Sequence, residues 1–253
     1  MKLNIENRFH AFTVHFIISF TIISTLLLLI IYWWYPPPYF ELEGGQDILE
    51  ILFGVDVVLG PCITLIIFKK GKPGLIFDLS VIAFMQVSAL IYGSLIIYHE
   101  RPAFLVFSVD RFTIVSTQDI DTRFLLGTDL NNDDSRGPTP VFTSIPDNID
   151  ERNKLLFETL TQGAADIEFR AEYYEPFQPN LKKAILRGKD IGHFYTSNKN
   201  KIKIDEFIAN NEIPIKDLSF FPVIGKKKDM LIAINNTTGE IIGAIDIDPW
   251  IKY

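Results

Sequence analysis

The sequence predicts an α-helical membrane bundle of three transmembrane helices followed by an α+β soluble domain. Two observations carry this. Up to Tyr98 the chain is dominated by Ile, Leu, Phe and Val, in three long apolar runs with few charges. From His99 onward 19 Lys and Arg stand against 24 Asp and Glu, with apolar residues spread as in a globular domain. That second part is long enough for one hydrophobic core. We therefore place a membrane domain at residues 1-98, with helices over about 9-34, 48-68 and 76-98, and an outer α+β domain at 99-253.

The first apolar run, Phe9 to Tyr35, contains no Lys, Arg, Asp or Glu. It is roughly twice the length of a signal-peptide core. It closes on Tyr32-Trp33-Trp34-Tyr35, aromatic residues suited to a membrane interface, so we read it as a retained membrane helix. Pro36-Pro37-Pro38 stops it, because proline lacks an amide proton and restricts the residue before it. The second run, Ile48 to Phe68, holds one internal acid, Asp56, and the third, Ile76 to Tyr98, carries Asp78 near its start. About 20 apolar residues cross a ~30 Å hydrocarbon core as a helix. Between these two runs, Lys69-Lys70-Gly71-Lys72-Pro73-Gly74 leaves room only for a reversal. Lys2, Arg8, Lys69, Lys70 and Lys72 set the orientation. The loop from Tyr35 to Asp47 has acids and no Lys or Arg, so the positive-inside rule puts the N-terminus and the lysine turn in the cytoplasm. Three crossings then deliver the outer domain to the periplasm of a bacterium.

In the outer domain, Phe104 to Val115 reads as one strand starting close to the membrane. Asp119 to Pro146 is rich in Asn, Asp, Gly and Pro and reads as mostly loop. Asp150 to Gln162 is expected to be a helix capped by Asp150 and ended by Gly163, with Leu155, Leu156 and Leu160 on a shared face. Glu168 to Tyr174 is expected as a short strand, Asn180 to Arg187 as a helix, and Ile204 to Asn210 as another with Asp205 and Glu206 in its first turn. Met230 to Ile234 and Glu240 to Ile247, flanking an Asn/Thr/Gly loop, read as a β-hairpin.

Composition narrows the function. A mildly acidic outer domain does not suit nucleic acid, which needs clustered Lys and Arg. The single cysteine, Cys62, lies in an apolar run and leaves the outer domain without a thiol, compatible with an oxidising compartment. Asp129 to Asp134 has the acids of a calcium loop, but an EF-hand needs Gly at its sixth position and Glu at its twelfth, and Asp134 and Pro140 stand there. His193 is a lone histidine beside aromatics. No phosphate loop, nucleophile elbow or metal-spaced cluster is present, and nothing in the sequence calls for a cofactor or for catalysis.

Asp56 is the most informative single residue. A carboxylate inside a membrane costs on the order of 2.5–3.5 kcal/mol on insertion scales unless satisfied. At ~1.5 Å per residue it lies roughly 12 Å inside its helix. Partners at that depth are expected among Ser24, Thr25, Ser88 and Tyr92. It could tie the three helices together, dock a partner helix, or serve an ion path. Gly54, Gly60 and Pro61 around it allow close helix approach and free a backbone carbonyl, which suits internal packing or contact with another membrane protein. Asp78 is placed to meet the lysine turn.

Several stretches taken together resemble the TfpX/TfpZ-type type IV pilin accessory proteins. These are Trp34-Tyr35-Pro36, Leu52-Phe53-Gly54-Val55-Asp56-Val57-Val58-Leu59-Gly60-Pro61, and Gly74-Leu75-Ile76-Phe77-Asp78-Leu79. Arg101-Pro102 leading to Phe107-Ser108-Val109-Asp110-Arg111-Phe112 and the closing Asp246-Ile247-Asp248-Pro249-Trp250 complete the set. The resemblance implies a non-enzymatic inner-membrane helper that binds a cognate type IV pilin, stabilising it or aiding its assembly with the pilus machinery. Gly54, Asp56, Gly60 and Pro61 would then hold the pilin's apolar helix. The outer domain, through the edges of its terminal hairpin or the loop Asp119 to Pro146, would meet the pilin head. The rival readings are a periplasmic ligand sensor, for which the cytoplasmic parts are very short, and a small transporter using Asp56.

Overall fold

A computed structural model describes residues 7–126, 128, 130, 136–195 and 197–250. Lys2 and, Leu130 apart, the stretch Asp129 to Asp134 lie outside the described residues. The chain divides into two compact units. One is formed by Met1–Pro36 and Gly44–Glu100, the other by Pro37–Glu43 and Arg101–Tyr253.

Among the described residues there are eight α-helices, in chain order. α1 is Arg8–Leu29, α2 Tyr39–Leu42, α3 Gly45–Phe53, α4 Gly60–Ile67, α5 Leu75–His99, α6 Ile149–Gln162, α7 Phe177–Ile185 and α8 Asn198–Asn210. The first unit contains three rods long and apolar enough to cross a membrane: Arg8–Trp34, Gly45–Ile67 and Leu75–His99, of 27, 23 and 25 residues. The first rod is α1 extended by a π-helical turn, Ile30–Trp34. The second is α3 and α4 joined by a longer π-helical stretch, Gly54–Leu59. The Asn7 side chain caps α1 by accepting from the His10 amide at 2.9 Å. Gly71 and Gly74 in the lysine turn both adopt left-handed φ near 78°, which a side chain disfavours, and the chain reverses there into α5. α1 and α5 each pack against α4, and Tyr35 Oη donates to the Ile97 carbonyl at 2.9 Å. Ile97 is the one buried residue of α5.

The second unit is built on a seven-stranded mixed sheet. Its strands are β1 (Pro102–Ser108), β2 (Arg111–Ser116), β3 (Thr139–Thr143), β4 (Glu175–Pro176), β5 (Leu218–Ile224), β6 (Asp229–Asn235) and β7 (Ile241–Ile245), in the spatial order β4-β3-β1-β2-β5-β6-β7. β1–β3 and β2–β5 pair in parallel and the other neighbours are antiparallel. Alternation along the strands sends side chains to opposite faces. Leu105, Phe107, Phe112, Phe142, Phe221 and Ile232 meet α7 on one face. On the other, Phe104, Val106 and Val141 pack with Leu125 and Tyr174, while Phe220, Leu231 and Ile245 pack with Ile204 of α8. The ring of Phe107 lies 5.0 to 5.5 Å from those of Phe112, Phe142 and Phe221, within the range of favourable aromatic pairing.

Several expectations are corrected. The run Phe104 to Val115 is a hairpin rather than one strand, turning at Val109 and Asp110 with Val109 at φ 57°. The lone acid in the run marks that turn. The Asp119 to Pro146 loop contains β3, whose apolar core is only Val141-Phe142 between turn-forming residues. Glu168 to Tyr174 forms two 3-10 turns, Ile167–Phe169 and Ala171–Tyr173, where side chains eclipse every third residue and no ladder forms. α6 is capped by Asn148, whose side chain accepts from the Asp150 and Glu151 amides. In α6 Leu155 is buried, whereas Leu156 and Leu160 are 51% and 80% exposed. α7 starts at Phe177, ahead of the expected Asn180. α8 starts at Asn198 after the cap Ser197, which leaves Asp205 and Glu206 in mid-helix.

Candidate functional site

The second rod turns π-helical where its chemistry is unusual. In the π-helical stretch the Gly60 amide reaches back five residues to the Val55 carbonyl, so in that register Pro61, which has no N–H, leaves the Asp56 carbonyl in need of another donor. Gln86 of α5 supplies it: Nε2 donates to the Asp56 carbonyl at 3.2 Å and lies 3.5 Å from Asp56 Oδ1. Gly60 makes this approach possible, since a Cβ there would stand 1.9 Å from Gln86 Nε2. Asp56 is 5% exposed, and its Oδ2 has no hydrogen-bond partner among the described residues. From α1, His15 Nδ1 is hydrogen-bonded to Thr64 Oγ1 at 2.7 Å, and Ser19 is buried.

The result is a polar clasp with a contribution from each rod. His15 comes from the first, Asp56 and Thr64 from the second, Gln86 from the third. Hydrogen bonds between membrane helices contribute on the order of 0.6–2 kcal/mol each. Among the described residues none of the polar groups expected at this depth is hydrogen-bonded to the Asp56 side chain. Thr25 Oγ1 donates to the Thr21 carbonyl of its own helix, Tyr92 is 70% exposed, and Ser88 is exposed. Matching by depth alone missed that Gln86, not Ser88, faces Asp56. The signal available was that Gln86 is the only amide side chain in the third run.

Gly54 differs from Gly60. A Cβ on Gly54 would meet nothing within 4 Å, so no contact inside the chain calls for its bare surface. Gly93 of α5 lets Leu52 come close, with a would-be Cβ 3.0 Å from Leu52 Cδ2. In the turn, Lys72 Nζ lies 2.6 Å from Asp78 Oδ2, while Lys69 and Lys70 are exposed.

In the outer unit, Asp110, Asp248 and Trp250 converge. The Trp250 indole donates to Asp229 Oδ2 at 2.6 Å, and its backbone amide to Asp248 Oδ1 at 3.0 Å. The Arg111 guanidinium sits 4.7 Å from the indole centroid and pairs with Asp110 at 2.9 Å. Cation–π contacts of this kind contribute roughly 0.5–2 kcal/mol. These contacts pin the segment Asp248–Trp250 across the starts of β2 and β6. A separate apolar groove of about 430 Å³ runs beside α6, lined by Val109, Ile145, Leu155, Leu156, Leu160 and Ile224 among others.

Comparison with known proteins adds the family. The family model described as fimbrial assembly protein FimB matches residues 3–44. A fimbrial assembly protein of Dichelobacter nodosus, serogroups C1 and C2, is 39% identical over 109 residues, which span 42% of this chain and 83% of the relative. The chain belongs to the fimbrial assembly protein family. Other family members from Dichelobacter nodosus, of serogroups I and E1, are each 28% identical over 251 residues and 93% of both chains. The likeness to these two therefore runs through the bundle and the outer domain alike. No solved structure is significantly similar.

Proposed function

We propose that this chain is an inner-membrane accessory protein of type IV pilus assembly, of the TfpX/TfpZ kind, that binds its cognate pilin and acts by holding it rather than by catalysis. The observation that carries the reading is full-length likeness to fimbrial assembly proteins in a chain with three candidate spans and an α+β outer domain. The bundle offers the pilin's apolar helix the surface around Gly54, where a bare backbone faces open space. A small residue at such a position lets a partner helix come close. Asp56, Gly60 and Pro61 shape that stretch from behind through Gln86. The outer domain, on the periplasmic side, meets the pilin head.

Capture of pilin by the tagged full-length protein from detergent extracts tests this. Gly54→Leu should reduce captured pilin at least several-fold while the protein's own level and melting stay unchanged. Capture equal to wild type would remove the bundle from the interface. Deleting the gene and comparing total pilin with surface pili then separates stabilisation, in which both fall, from assembly, in which only surface pili fall.

A further inference from the structure

The short segment between the first two rods belongs to the outer unit. Leu42 is fully buried and Tyr39 is 8% exposed, both within the core formed by Phe107, Phe112, Phe221 and Ile232. The backbone is engaged as well. The Leu42 carbonyl accepts from the amides of Lys227 and Lys228 at 2.9 and 3.4 Å, and Glu43 Oε1 accepts from the Lys226 amide at 3.2 Å. Gly225 is bare because a Cβ there would stand 2.5 Å from the Leu42 carbonyl oxygen. Lys228 Nζ reaches Glu41 Oε2 at 2.8 Å and Asp246 Oδ1 at 3.1 Å, and Asp246 is held from its other side by Lys203 of α8. The β5–β6 turn is thus shaped around a peptide from some 180 residues earlier.

We infer that Pro37–Glu43 is a fold-completing strap: the outer domain closes its core only after the segment between the first two membrane helices has been delivered to it. Gly44 and Gly45 are all that separate the strap from the rest of α3, and Tyr35 and Pro36 link it to the first rod. The strap and the outer domain must therefore emerge on one side of the bilayer. A chain inserted with the wrong number of crossings would present an outer domain lacking Tyr39 and Leu42, and with them the carbonyl that the Lys227 and Lys228 amides reach. Folding of the outer domain so reports on correct insertion of the helices, independently of any pilin.

The test uses the full-length protein in membranes. In one variant residues 37–43 are replaced by seven Gly/Ser residues. In a second, six Gly/Ser residues are inserted between Glu43 and Gly44, keeping the strap sequence but slackening its tether. Read-outs are protease cleavage within residues 101–253 and hydrogen exchange at the Lys227 and Lys228 amides. The replaced strap should raise both rates at least tenfold with all three helices still inserted, and the slackened strap should leave both near wild type. Wild-type protection in the first variant would overturn the inference. So would equal damage in both, which would make the tether's length, and not the docked side chains, the requirement.

Discussion

The side-chain amide of Gln86 occupies the space that any side chain at residue 60 would need, its nitrogen 1.9 Å from the position of a Cβ. Gly60 and Gln86 are therefore one device, one residue removing bulk so that the other can satisfy the carbonyl which Pro61 leaves without its usual donor. Gly60→Ala should push the amide away and destabilise the bundle by about 1–3 kcal/mol, read as unfolding in detergent. Gln86→Ala should cost a similar amount by orphaning the Asp56 carbonyl. The double variant should cost clearly less than the sum, because both remove the same contact. Strict additivity would show that the two residues act separately.

The indole of Trp250 provides a second quantitative check. Trp250→Phe keeps a ring for Arg111 to lie over and removes the donor to Asp229. We expect a loss of about 1–2 kcal/mol for the phenylalanine and a larger one for Trp250→Ala, measured by denaturant unfolding of the outer domain within the intact chain. Equal losses would show that the hydrogen bond matters and the ring stacking does not.

Asp246 gives a pH dependence with a defined sign. The Lys203 ammonium, and after it Lys228, hold its carboxyl below the usual carboxylate value, against the opposing effect of burial. A carboxyl depressed in the folded state contributes stability above its unfolded pKa of about 3.9, and that contribution is lost as the pH falls through the lower folded value. At pH 7 Asp246→Asn should lower the melting temperature by up to a few degrees, as for a largely exposed pair. Once the pH is below that folded value, the variant and the wild type should converge. A difference that persists there would assign the effect to packing.

Orientation is tested by fusions. A phosphatase that matures only in the periplasm should be active after Tyr253 and inactive after Lys70. The reverse pattern would invert the proposed topology and place the strap and the outer domain in the cytoplasm together.

The three rods were legible because lipid leaves a helix few alternatives, so length and apolarity suffice. The π-helical stretch at Gly54–Leu59 was not, although Pro61 announced that a carbonyl near it would be stranded. The terminal hairpin was legible from its alternation and its Asn/Gly loop. β1 and β2 were read as one strand because Val109 takes a left-handed conformation unusual for a β-branched residue, and only Asp110 hinted at a turn. β3 was hidden in a polar loop because its pairing with β1 is parallel and long-range, invisible to local pattern. Asp56 stood out in the sequence by its charge within an apolar run, with a helix tie, a docking point and an ion path all left open. Its partner was missed because depth along a helix does not give rotation about it. Leu42 could not be recognised as core, since its partners lie beyond Leu105 in the sequence.

The sheet carries its own line of weakness. β2 and β5 share only two aligned residue pairs, Phe112 with Val223 and Thr113 with Ile224, while β1–β2 and β5–β6 zip along most of their lengths. The edge pair β3–β4 is as short, but β2–β5 is the short seam that lies inside the sheet, between the first-made strands and the last-made ones. Pulled from its two ends, the sheet would yield at that junction and keep each half intact.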